Sequence, residues 1–411
     1  MRKCWSRQIV LSAAVGLGLS CGWAQTRIAT LDLKPYGVMT QAELNVQHPI
    51  PDPPPERKGY TTSGPPGGIA WSGVGTLAVE RAGKIYVGLP IWASGYAPKN
   101  AARGTADKFR VLVVNATSGG KVEYTMDFPT KSLGRIALQL AADGTMLVLA
   151  DDKLMRVGTD GIPTSQLNVP NEQKEFELWG VETSTTGHTL RIWLNDKHTM
   201  VVNTKTLAVV KECRTVSGDN DTGTFTDSIE LSSQSVAKFP DPAKGLERQA
   251  FCEKRERLQQ FGQIDFWPAV VNDEQFLAIE EGAMTLRRLS GETVWTSKAP
   301  EGLILDTYDD ELSRDGSRVA LRLMRKAQYH HPDTMNPDDI RNGTWNRTTT
   351  EKVEDSVGVW NVASGKLAGV IPLLGHTEGR FFEPNAQIAL SPDGKLLAVL
   401  EDGMLTVWRM D

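Results

Sequence analysis

The stretch "LSPDGKLLAVLEDGMLTVW" (residues 390–408) sets two apolar, leucine- and valine-rich runs around Asp-Gly turns, and looser copies recur along the 411-residue chain. Asp and Gly supply the local hydrogen bonds and positive φ that tight turns need, so each copy reads as a β-hairpin. The second run begins at Lys84 in "ERAGKIYVGLP", Thr145 in "AADGTMLVLAD", His188 in "STTGHTLRIWL", Gln275 in "VNDEQFLAIEE", Ser317 in "SRDGSRVALRL" and Lys395 in "SPDGKLLAVLE". A third strand follows most of them, as in "LMRVGTDG" and "VGVWNVASGK", and a fourth is visible in "KVEYTMDFP" and "ETVWTSKAP". Four short antiparallel strands cannot bury both faces alone, so such units must stack on one another.

Spacing gives the architecture. Thr145 to His188 is 43 residues and Gln275 to Ser317 is 42, matching the roughly 40 to 45 residues of a four-stranded propeller blade. The chain is therefore expected to be all-β, a β-propeller in a single domain over residues 25–411. Longer intervals hold one blade plus an insertion: 61 residues from Lys84 to Thr145, with an insertion near 93–108, and 78 from Ser317 to Lys395, with one near 324–355. The 87 residues from His188 to Gln275 equal about two blades. Seven blades are favoured; six plus an insertion is the alternative, with "ERQAFCEKRERLQQF" then read as a short surface helix. The last unit stops at its third strand, "LTVWRMD", while "TRIATLDL" (residues 26–33) is an alternating strand without a partner. It is expected to close the ring, reached over a proline- and glycine-rich tether at 47–68.

The segment from Gly375-His376 through "IALSPDGKLLAVLEDGMLTVW" resembles a WD-repeat propeller blade, with Trp408 at the position of the motif's tryptophan and Trp360 in "VGVWNVASGK" matching it one unit earlier. Asn361 and Arg409 stand where the motif has Asp. The resemblance implies the propeller fold and a binding platform, and it carries over no catalytic residue.

The N-terminus has the layout of a secretory signal: Arg2, Lys3 and Arg7, then the apolar run "IVLSAAVGLGLS", then Gly22-Trp23-Ala24 with small residues at the positions a signal peptidase reads. The run is shorter than the roughly 20 residues of a bilayer span, so residues 1–24 are read as a removed signal peptide and the remainder as periplasmic or extracellular. Anchoring through a lipid-modified Cys21 is the alternative, although Gly18 stands where lipoprotein signals usually carry Leu. The full chain has 45 basic and 50 acidic residues; the leader takes away bases and no acids, which disfavours nucleic acid as a partner. Cys213 and Cys252 remain, an even pair in an oxidising compartment, and are expected to form a disulfide.

For chemistry, His330-His331 with Asp333, Asp338 and Asp339 is the densest set of metal-ligand types, but it has no fixed spacing and reads as a polar loop. "DNDTGTFTDSIE" begins like a calcium loop at Asp219 and Asp221, yet Gly223 falls fifth rather than sixth. "YDDELSRDG" holds carboxylates able to act as an acid-base pair, a composition that blade turns also produce. No serine elbow, phosphate loop or haem motif is present, so neither metal nor cofactor is expected. The favoured function is a monomeric extracytoplasmic module that binds a protein, peptide or glycan, with Tyr329, His330, His331, Trp345 and Arg347 of the second insertion as binding residues. The alternative is a propeller hydrolase or lyase with its site at the central channel. The leader makes a direct prediction: N-terminal sequencing of exported protein starts at Gln25, and a lipidated species starting at Cys21 overturns the assignment.

Overall fold

The computed structural model describes residues 25–36, 77–91, 108–130, 136–170, 180–195, 198–214, 225–236, 243–249, 256–257, 269–280, 282–325, 352–353, 355–373, 376–377, 386–401 and 403–411. It is a β-propeller of four-stranded antiparallel blades. Blade 1 comprises Leu77–Val79, Lys84–Ile91, Lys108–Asn115 and Lys121–Pro129. Blade 2 comprises Ile136–Leu140, Met146–Ala150, Lys153–Val157 and Pro163–Asn168. Blade 3 comprises Gly180–Thr183, Thr189–Asn195, His198–Asn203 and Val209–Arg214. Blade 4 comprises Ala269–Asn272, Gln275–Glu280, Ala283–Arg288 and Thr293–Lys298. Blade 5 comprises Leu303–Leu312, Arg318–Arg325, Asp355–Asn361 and Lys366–Pro372. Blade 6 comprises Ala386–Leu390, Leu396–Glu401 and Met404–Met410, with Gln25–Asp32 as its outermost strand.

Every second strand starts within one residue of the position read from the turns. The blade count is six, not the favoured seven. The long interval between blades 3 and 4 instead carries a three-stranded sheet, Glu230–Val236, Ala243–Gln249 and Glu256–Arg257. Its middle strand, "AKGLERQ", lacks apolar alternation and its last pairing covers two residues only, Glu247 with Arg257 and Arg248 with Glu256. The surface helix considered over this stretch is corrected at its described residues, 247–249 and 256–257, which are strand. Glu256 and Arg257 are extended because a strand is there to pair with, and tertiary pairing outweighs a weak local preference.

Burial grades outward from the ring axis. The second strand of blade 2, Met146–Ala150, is buried at every position, whereas its fourth strand, Pro163–Asn168, alternates between exposed and half-buried. Continuous apolar runs therefore become sandwiched second strands, and alternating ones become rims. Neighbouring blades pack face to face through apolar clusters. Blades 6 and 1 meet through Ala398, Leu400, Val87 and Val114; blades 1 and 2 through Phe109, Val111, Leu138 and Val148; blades 2 and 3 through Leu147, Leu149, Ile192 and Val202. Blades 4 and 5 meet through Leu277, Leu286, Leu321 and Trp360, and blades 5 and 6 through Val357, Ile371, Leu397 and Val399.

A second repeat has no counterpart in the sequence motifs. In blades 1 to 5 the pairing of third and fourth strands slips by one residue near the outer turn, at Val113/Val114, Arg156/Val157, Val201/Val202, Leu286/Arg287 and Val359/Trp360. Such bulges strengthen right-handed twist where a blade must splay away from the axis.

Both insertions leave equivalent places, between the second and third strands of blades 1 and 5. Their edges are corrected: Lys108 belongs to a strand, as do Met324, Arg325 and Asp355. The buried Arg322 and Asp355 side chains form an ion pair at the base of the second insertion.

The strand Gln25–Asp32 pairs antiparallel with Met404–Met410, from Gln25 opposite Met410 to Asp32 opposite Met404. Ala29 and Leu33 are buried in the cluster shared by blades 6 and 1, and the guanidinium of Arg27 lies 5.8 Å from the Trp408 ring centroid. Deleting residues 25–33 is predicted to uncover the edge of Met404–Met410 and lower the melting temperature or cause aggregation. A truncated protein as stable and monomeric as the parent contradicts this.

Candidate functional site at the channel mouth

At the end where first strands turn into second strands, those of blades 1, 2, 3, 5 and 6 border a cavity of about 270 Å³. Its polar lining includes Gln139, Glu182, Thr183, Glu311 and Arg314, set among Leu77, Leu140, Leu312 and Phe225. Glu311 and Arg314 come from "YDDELSRDG", the carboxylate-rich stretch noted in the sequence.

Three of the turns at the mouth, in blades 3, 5 and 6, follow one plan. In blades 5 and 6, Ser313 and Ser391 each donate to the Asp two residues on, Asp315 (2.9 Å) and Asp393 (2.7 Å). Each serine oxygen also accepts the backbone N–H five residues on, from Arg318 (2.9 Å) and Leu396 (3.0 Å). In blade 3 the turn is "STTG", and Thr186 stands where the others have Asp. The missing carboxylate comes from outside. Asp227, just ahead of the three-stranded sheet, accepts from Ser184 (2.8 Å), Thr186 (2.5 Å) and Thr189 (2.8 Å), and pairs with His188 Nδ1 at 3.3 Å. Burial pushes the Asp227 carboxyl upward, but the bonds from Thr186, Thr189, Ser184 and His188 together outweigh it and hold the group below the usual carboxylate range.

Behind the wall, Arg191 is buried with its guanidinium 4.2 Å from the Trp193 ring centroid and 4.3 Å from that of Phe225. It donates to Glu182 Oε2 at 3.0 Å, so the channel carboxylate of blade 3 is fixed by a cation held between two aromatic faces. Gln139 donates to the Val181 carbonyl at 3.3 Å and accepts from Thr183 at 3.2 Å. Arg314 crosses the mouth. It donates to the Ala141 carbonyl at 2.6 Å and to the Leu140 carbonyl, both in blade 2. Burial lowers its pKa, opposed by the charges of Glu311 and Asp143.

Tyr329, His330, His331, Trp345 and Arg347 lie outside the described residues, as do Cys252, Asp219, Asp221, the leader and the tether. Cys213 is buried on the outermost strand of blade 3. Trp360 is buried in the cluster between blades 4 and 5; Trp408 is half-buried and donates to Thr406 Oγ1 at 3.2 Å. Among the described residues, no set of three or more His, Cys, Asp or Glu is placed to hold a metal ion, and no helix is long and apolar enough to cross a membrane. The sequence reading missed Gln139, Glu182 and the Arg191 sandwich. For Gln139 and Glu182 the only signal was position, since first-strand residues that precede a turn lie near the axis; Arg191, on a second strand, had none.

Comparison with models of known families and with curated proteins finds no match to this chain.

Asp227 yields a test. Asp227→Ala is predicted to lower stability at neutral pH by about 0.5–1.5 kcal/mol, the net worth of hydrogen bonds that water can partly replace at this partly exposed hub. The native carboxyl titrates below its unfolded value of about 3.9. Its contribution is thus present above that pH and is lost as pH falls through the lower folded value. Denaturant midpoints of the two proteins should converge in acid; a gap that stays constant to pH 2 refutes the linkage.

Proposed function

We propose that this chain is an extracytoplasmic binding module, a propeller of WD-repeat-like type that holds a protein, peptide or glycan partner through the loops inserted between second and third strands. The observation that carries this reading is the placement of both insertions at the same ends of equivalent strands, where a rigid stack of sheets would present them on one face, with blade 6 between them. The buried Arg322–Asp355 pair supports it by anchoring the base of the second insertion. Tyr329, His330, His331, Trp345 and Arg347 are the binding residues in this reading, because aromatic and arginine side chains concentrate contact energy.

The same proposal takes residues 1–24 as a removed signal, places the remainder in the periplasm or outside the cell as a monomer, and joins Cys213 to Cys252. The pairing of Gln25–Asp32 with Met404–Met410 supports closure of the ring by the N-terminal strand. A hydrolase or lyase at the channel is less well supported. Glu182 is committed to Arg191 and Arg314 to two backbone carbonyls, so two of the charged groups there are held in structural bonds.

Replacing residues 327–352 by a short Gly-Ser linker is predicted to abolish capture of specific partners from envelope extracts, with the melting temperature unchanged. Trp345→Ala should weaken the same capture at least tenfold. Retention of every partner by the linker variant overturns the proposal.

A further inference from the structure

Arg314 sits in the turn between the first two strands of blade 5, yet its guanidinium is bound on the far side of the channel. Consecutive carbonyls, those of Leu140 and Ala141, converge on its two terminal nitrogens. Such a carbonyl pair suits the planar, forked donors of a guanidinium better than the single point charge of an ammonium. The receiving pocket is shaped for this group. Gly187 of blade 3 has φ +74°, and a Cβ there would lie 2.6 Å from Arg314 Nη1 and 2.8 Å from its Cζ. Two carboxylates favour the charge: Glu311, on the strand leading into the turn, and Asp143, which also holds Arg156 at 2.9 Å. The cavity beside the guanidinium gives a second group room to approach.

We infer that the Leu140–Ala141 carbonyl pair, walled by Gly187 and flanked by Glu311 and Asp143, is a guanidinium-binding site that Arg314 occupies in cis, and that a guanidinium-bearing ligand is the class able to take its place. The site lies at the opposite end of the blades from the two insertions, so it stands or falls independently of any partner they hold. Arg314 acts as an internal competitor. An incoming guanidinium gains two charge-assisted bonds only by releasing the two that the chain already makes, so the site is weak in the parent protein and strong once Arg314 is removed.

The experiment compares the full chain with Arg314→Ala, using ethylguanidinium as probe, N-ethylurea as its neutral isostere and acetyl-Gly-Arg-Gly-amide as the peptide form of the same group. Arg314→Ala should melt below the parent. Ethylguanidinium at millimolar concentration should raise that melting temperature in a saturable way, and N-ethylurea should not. Calorimetry should show the probe bound at least tenfold more tightly by Arg314→Ala than by the parent. Adding Glu311→Gln to that background should weaken binding about tenfold. If the tripeptide binds as well as ethylguanidinium, an arginine side chain is the natural form; if only ethylguanidinium binds, a small molecule is. Both results support the site. Should Arg314→Ala fail to accumulate, Arg314→Gln retains an amide donor without the charge and carries the same comparison. Equal effects of ethylguanidinium and N-ethylurea, or equal affinity in parent and variant, overturn the inference.

Discussion

The structure depends on second strands that are buried on both faces. A strand such as Met146–Ala150 or Leu396–Glu401 has no polar side to turn to water, so a blade alone would leave one apolar face bare. Stacking against the next blade covers it, and repeating the step around an axis removes the ends of the stack. Fold, channel and turn geometry all follow from that demand. The first strands are carried to the axis because they flank the buried strands, and the turns gather into one rim because first and second strands alternate in direction.

The same demand explains what was legible beforehand. Glycine and aspartate turns followed by apolar runs mark the start of every second strand to within a residue, since both signals are local chemistry. Blade number was harder. The interval between blades 3 and 4 has the length of two units, but length says nothing about pairing, and the sparse apolar pattern of "AKGLERQ" supports only a reduced sheet. The channel residues were the least visible. Glu182 and Gln139 belong to short first strands without a motif, and their role depends on partners far along the chain. Arg314 reaches carbonyls more than 170 residues away, a contact that no local pattern encodes. Asp227 is similar: its meaning lies in a carboxylate that "STTG" lacks.

The joint between blade 3 and the three-stranded sheet carries a polar hub centred on Asp227. The other interfaces named above are apolar clusters, and the sheet meets blade 4 in the same way through Leu231, Val270 and Phe276. Among the described residues the joint with blade 3 includes the Asp227 hub, Arg191 stacked on Phe225 and a backbone bond from Thr185 to Phe225 (3.0 Å) that has counterparts at other joints, from Ala142 to Gly187 (2.9 Å) and from Asp315 to Pro392 (3.0 Å). Directional bonds there add to what packing supplies. They fix the rotation of one sheet against the next more tightly than interdigitated Leu and Val side chains would.

A ring assembled from nearest-neighbour contacts has no stronger resistance to opening than its least cohesive joint. Apolar joints lose little when salt or acid is added, whereas a joint centred on one carboxylate is sensitive to both. The Asp227 joint is therefore one whose bonding answers directly to acid. Its residues Ser184, Thr185 and Phe225 also line the cavity beside Glu182, so a change of charge at Asp227 is felt at the channel mouth as well as at the joint.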